Sequence, residues 1–216
     1  SERATEGLAL ARGLGDRRLE GRLLLLHGSP IMAGRPAEAA TYFEQALALH
    51  DETHDLAWRP ATLAMMGLVA ARSGQAKTAI AILQRAVDAA NVAGERWMLA
   101  HARQGMAVVA RISGDPVASV SQSVDVLREA VDLGDGVTAH EAVVCLAGAL
   151  CDLGHLTAAA RALGAAEVIR EDAGLSVNHL YAADQYERDR LSVVRQLGEP
   201  AASAAFGELT AAGITA

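Results

Sequence analysis

Glycines recur along this chain at a fixed interval, and that interval constrains the fold more than any other feature. Gly34, Gly74, Gly114 and Gly154 stand 40 residues apart, and Gly94, Gly134 and Gly174 form a second series with the same spacing. A period of that length means stacked copies of one supersecondary unit. Almost no stretch between the glycines alternates apolar and polar residues, so strands are not expected. Each unit reads as helix, tight turn, helix, with glycine at the turn, where a left-handed residue costs little.

Aligning the units on the first glycine series exposes the expected contacts. Seven residues before the glycine lie His27, Gly67, Ala107 and Ala147, and eight before it lie Leu26, Met66, Met106 and Leu146. Five after it come Ala39, Ala79, Ser119 and Ala159; nine after, Phe43, Leu83, Ser123 and Leu163; twelve after, Ala46, Ala86, Val126 and Ala166. Small residues belong where the two helices approach, and large ones fill the space beside them. Pro36 and Pro116 fit the first helical turn, and Asp115 is a suitable N-cap. Pro30 should stop or kink its helix near Ser29. In the third unit Ser119 and Ser123 fall where apolar residues are expected. The run Leu127–Asp132 echoes Leu83–Asp88 at a spacing of 44, which suggests a second helix shifted by one turn.

The resulting all-α architecture is a right-handed superhelix of hairpins. Residues 1–16 are the end of a truncated preceding repeat. Residues 17–174 form four hairpins, at 17–51, 56–93, 95–133 and 137–173. Residues 175–216 form a C-terminal capping helix pair, at 179–197 and 200–212.

Composition narrows the function classes. Of 216 residues, 51% are apolar and 21% charged, which excludes intrinsic disorder. Two cysteines exclude a disulfide scaffold. The longest uncharged stretches, 23–34 and 60–71, fall short of the roughly 18–20 residues that a membrane span needs. A net charge of −7 argues against direct nucleic-acid binding in this segment. Lys77 is the single lysine among 19 basic residues, a bias typical of a GC-rich genome. The chain starts Ser1-Glu2-Arg3, and 4–14 is already helical in pattern. A piece of a longer protein from a reducing bacterial cytoplasm is expected.

The hairpin spacing resembles the tetratricopeptide repeat, a helix–turn–helix unit of about 34 residues with small residues at the hairpin contact. The tail adds a narrower resemblance. It is carried by Ala160-Arg161-Ala162-Leu163-Gly164-Ala165-Ala166-Glu167, Ile169-Arg170-Glu171 and Ala173-Gly174, then Tyr186-Glu187-Arg188, Leu197-Gly198-Glu199 and Phe206. This pattern is similar to the C-terminal repeat region of MalT-like, LuxR-type and AfsR-like signal-transduction ATPase transcription regulators. The resemblance implies a non-catalytic sensor and protein-interaction module beside an ATPase and a DNA-binding domain. The segment itself has no GxxxxGK[ST] loop, and no cofactor is expected in it.

Candidate residues follow from the register. In such arrays the first helices of successive hairpins line a concave groove. Here they would present Trp58, Arg72, Trp97, His101, Gln104, Arg111, His140 and Glu141 to a small effector, a peptide or a protein partner, with self-association as a further option. The competing reading makes the tryptophans hairpin packing and the charges a solvated face. A plain scaffold without an effector is the alternative function. His50 and His54, at i and i+4, have the spacing of a shared metal on one helix face, with Asp51 or Asp55 as further ligands; an exposed polar helix end is the other reading. Cys145 and Cys151 are six helical residues apart, a rise of about 9 Å, too far for a disulfide, and read as packed thiols. Ser119, Ser121 and Ser123 have no His–Asp context, and the carboxylates at 184–190 lie on a charged, solvated helix. The segment is therefore expected not to be an enzyme.

Overall fold

A computed structural model of the chain describes residues 2–32, 34–175 and 183–212. Among these the chain is helical, with no strand. The order is α1 (Glu2–Leu14), α2 (Arg17–Gly28), a short 3-10 turn (Ser29–Ile31), α3 (Pro36–Glu52), α4 (Arg59–Arg72), α5 (Ala76–Ala93), α6 (Arg96–Ile112), α7 (Pro116–Leu133), α8 (Gly136–Asp152), α9 (Leu156–Asp172), α10 (Ala183–Leu197) and α11 (Glu199–Ala212). These bounds follow the expected hairpins within a few residues. The start of the expected capping helix, at 179–182, and the chain end at 213–216 lie outside the described residues.

The chain divides into two compact units, residues 1–105 and 106–216, with the boundary inside α6. In the first, α2 packs on α1 and α3, and α4 on α3 and α5. In the second, α8 packs on α7 and α9, α11 on α9, and α10 on both α8 and α9.

The turns explain the period. Gly74, Gly94, Gly114, Gly134, Gly154 and Gly174 all take left-handed φ, between 62° and 84°. Two departures carry information. Gly34 is not left-handed, because Pro30 has already ended α2 at Gly28 and set the 3-10 turn over Ser29–Ile31. His54 is left-handed, at φ 50°, and stands 40 residues before Gly94. It therefore occupies the glycine position of the second series. A side chain is strained there, although histidine is among the residues enriched in that region.

The second-helix positions of the core are as the spacing implies, but the large position eight before each glycine is not buried: Met66, Met106 and Leu146 are half-buried and Leu26 is exposed. Ala39, Phe43, Ala46, Ala79, Leu83, Ala86, Ser119, Ser123, Val126, Ala159, Leu163 and Ala166 are all buried. Leu83 fits a slot between two glycines, since a Cβ on Gly67 or on Gly105 would come within 2.6 Å of its side chain. Burying such a leucine contributes about 1.5–3 kcal/mol. In the first unit the corresponding contact lies one residue later. Phe43 meets Gly28 rather than position 27, His27 turns edge-on to Tyr42 at 4.7 Å, and Leu26 is 52% exposed.

The third unit corrects an expectation. Its second helix is not shifted. α7 spans Pro116–Leu133, which is α5 displaced by 40 residues. Asp115, whose side chain accepts from Ala118 N at 3.0 Å, and Gly134 at the C-terminal end fix the register at both ends. Ser119 and Ser123 consequently occupy core positions, and Ser119 Oγ lies 3.5 Å from the buried Cys145 Sγ.

Candidate functional site

In the first unit the polar centre is Asp55. The backbone N–H of Asp55 bonds the carbonyl of His50 at 2.9 Å, which folds the chain back after α3. The Arg22 fork then reaches Asp55 from α2, with Nε 2.7 Å from Oδ2 and Nη2 3.1 Å from Oδ1. The guanidinium also lies 5.4 Å from the centre of the Trp58 ring, a cation–π contact. Burial pushes the Asp55 carboxyl up, but the hydrogen bonds and charge of Arg22 more than offset this and hold it below its usual value. Trp58 is half-buried at the N-cap of α4. The cluster joins α2 to the connection between α3 and α4.

His50 and His54 are not brought together as metal ligands. α3 ends at Glu52, so the helical i, i+4 geometry never forms. His50 is buried and kept neutral by that burial, with Nδ1 3.7 Å from Asp55, while His54 is exposed in its left-handed turn. No group of three or more metal-binding side chains occurs among the described residues.

On α6, Trp97 stacks on His101 with ring centres 6.1 Å apart and planes 20° apart. Trp97 remains 46% exposed. Gln104 is buried, and Arg72, in the last turn of α4, is half-buried.

Sequence reasoning missed one feature of this unit. A cleft of ≈ 300 Å³ is lined by Leu56, Arg59, Arg85, Asp88, Ala89 and Val92. The available signal was the stripe Arg85, Ala89, Val92, whose spacing puts the three on one face of α5.

In the second unit Arg111 is held by two carboxylates. Its Nε donates to Asp152 Oδ2 at 2.7 Å, and Nη1 and Nη2 donate to Asp189 at 2.8 and 2.7 Å. Burial opposes the charge on Arg111, but the two carboxylates more than offset it, and the guanidinium stays charged. The clasp lies directly against the backbone of α8, because Gly148 has no side chain to keep it away. Arg111 thus ties α6 to α8 and α10.

His140 and Glu141 are both buried in α8. The His140 Nδ1–H donates to the carbonyl of Ala166 at 2.9 Å, and burial keeps the ring neutral. Burial, aided by the charge of Asp135, pushes the Glu141 carboxyl up to about 7. Cys145 and Cys151 are free thiols, and burial raises the pKa of Cys145. The expected groove residues therefore fall into a first-unit set, Trp58, Arg72, Trp97, His101 and Gln104, and a second-unit set, Arg111, His140 and Glu141.

No protein-family model and no curated protein matches the chain. Among the described residues no helix is long and apolar enough to cross a membrane.

Proposed function

We propose that the chain is a non-catalytic sensing and interaction module of a larger cytoplasmic bacterial transcription regulator. In this reading the hairpins stack as a tetratricopeptide-like right-handed superhelix, and an effector or protein partner binds on their surface. The observation that carries it is the hairpin repeated every 40 residues, with the same buried positions in each copy. Such repeats present surface in proportion to length, and ligands or partners use that surface. The functional step is an inference from architecture and from the resemblance of the tail. A bound ligand would act by preferring one arrangement of the hairpins, since only differential affinity shifts a population.

The second reading, a scaffold for a protein partner, is favoured by a separate observation. Leu56, Val92 and Trp97 are all exposed, each at or beside a helix turn of the first unit, and exposed apolar side chains suit a protein surface. A reporter assay separates the two. Deleting this segment from the full reading frame should abolish the transcriptional response to the inducing condition while nucleotide hydrolysis persists. An unchanged response would overturn the sensor reading.

A further inference from the structure

The cleft in the first unit has a lining that hairpin packing does not require. Leu56 is 53% exposed and Val92 80% exposed. A core position would bury these side chains, and a purely solvated helix face would carry polar groups in their place. Both instead border the cleft of ≈ 300 Å³. That volume is at the lower end of the roughly 300–1,000 Å³ typical of small-molecule sites.

Two guanidiniums enter this apolar lining. Arg85 is exposed on α5, and no hydrogen bond or ion pair among the described residues engages it. Arg59, in the first turn of α4, gives its Nε to Asp51 at 2.7 Å, which leaves its two outer nitrogens for another acceptor. The one carboxylate in the lining, Asp88, already accepts from Gln84 Nε2 at 3.0 Å. Asp51 and Asp88 thus balance the two guanidiniums in charge, but Arg85 keeps its whole fork, and Arg59 its outer nitrogens, without a bonded acceptor next to a short apolar surface.

We propose that this cleft binds a short aliphatic monocarboxylate. Its hydrocarbon chain lies against Leu56, Ala89 and Val92, and its carboxylate meets Arg85, with the outer nitrogens of Arg59 as a second donor. The planar guanidinium fork matches a carboxylate, and the bonds are charge-assisted. Covering the two exposed apolar side chains removes them from water. An alcohol of the same length would lose the charge-assisted bonds, and an amine would be repelled. This assignment rests on the effector-binding reading and specifies the effector's chemical class.

The test is an NMR titration of the methyl-labelled chain with hexanoate, with 1-hexanol and hexylammonium as comparisons. We expect the methyl signals of Leu56, Ala89 and Val92 to shift with hexanoate and saturate at about 1–10 mM, the affinity range of a small open site. Arg85→Gln, a change at an exposed position, should weaken binding by roughly fivefold or more through loss of the charge-assisted contact, with the melting temperature unchanged. Hexylammonium should leave the signals in place. Absence of saturable shifts, equal binding of 1-hexanol, or full binding by Arg85→Gln would each overturn the assignment. A silent cleft would leave the module reading intact, because the deletion assay tests that reading separately.

Discussion

Gly148→Ala sets two physical effects against each other. It adds one methyl group in the interior of α8, and helix propensity alone says that this stabilises by about 1 kcal/mol. Packing says the opposite. A Cβ at position 148 would fall within the Arg111 guanidinium and against the Asp189 carboxylate. The pair has little freedom to retreat. The Arg111 side chain is 12% exposed and that of Asp189 7%, and three guanidinium nitrogens are already bonded. Separating a buried pair costs about 3–5 kcal/mol. The Asp152 arm is half-exposed and adds only about 0–1 kcal/mol. Subtracting the propensity gain leaves a net loss of about 2–4 kcal/mol. For a chain of this size that lowers the melting temperature by roughly 5–15 °C. The assay is thermal unfolding followed by circular dichroism, with Gly207→Ala as the matched control. A Cβ at Gly207, in α11, meets nothing within 4 Å, so that variant should gain about 0.5–1 kcal/mol. If Gly148→Ala melts higher than the parent, the clasp against α8 is not as described.

Three other substitutions test separate parts of the structure. His54→Gly removes a side chain from a left-handed turn and should stabilise by about 0.5–1 kcal/mol in urea unfolding; a loss would mean that the imidazole makes a contact worth more than the strain. Ser123→Ala deletes a buried hydroxyl that acts on the Cys145 thiol, a weak hydrogen-bonding partner, and should change stability by less than about 1 kcal/mol in urea unfolding; a larger loss would mean that the Ser123–Cys145 contact is a strong one. Glu141 holds its proton to about pH 7 when folded, against 4.5 as its ordinary value. The unfolded chain loses that proton first, so this group's contribution falls as pH rises from 4.5 to 7, by about 3 kcal/mol in total. His140, whose pKa is lowered from 6.5, acts in the other direction: its contribution is lost as pH falls below 6.5. The difference between Glu141→Gln and the parent isolates the glutamate, and a difference that stays constant from pH 5 to 8 would contradict its burial as a protonated acid.

The hairpins were legible in the sequence because their turns use a local signal. A left-handed residue closes a helix, glycine takes that conformation most easily, and a 40-residue spacing survives any detail of packing. The same reasoning fails where another local rule intervenes. Pro30 ends α2 early and Gly34 is not the left-handed turn residue of its series, so alignment on Gly34 misplaces the Phe43 contact by one residue. His54 hid a turn of the same series because it is not glycine, and its i, i+4 distance from His50 suggested a helix face that the chain has already left. In α7 the echo at 44 residues was a coincidence of composition, and Asp115, Pro116 and Gly134 hold the register.

The site residues were less legible because their partners are remote in sequence. Arg111 had the position of a groove residue on its own helix, and its carboxylates come from residues 41 and 78 positions further on. His140 and Glu141 had polar identities that suggested a surface, whereas α8, packed on α7, α9 and α10, buries most of its length. The cleft was missed because nothing in the order of residues says that Val92 stays exposed while Ala90, two positions earlier, is buried.

Whether these hairpins serve a larger regulator is decided by sequencing the complete reading frame on both sides of this segment. We expect a GxxxxGK[ST] phosphate-binding loop upstream and a helix-turn-helix DNA-binding domain at one end. A frame that holds only further hairpins would contradict the claim and leave a scaffold.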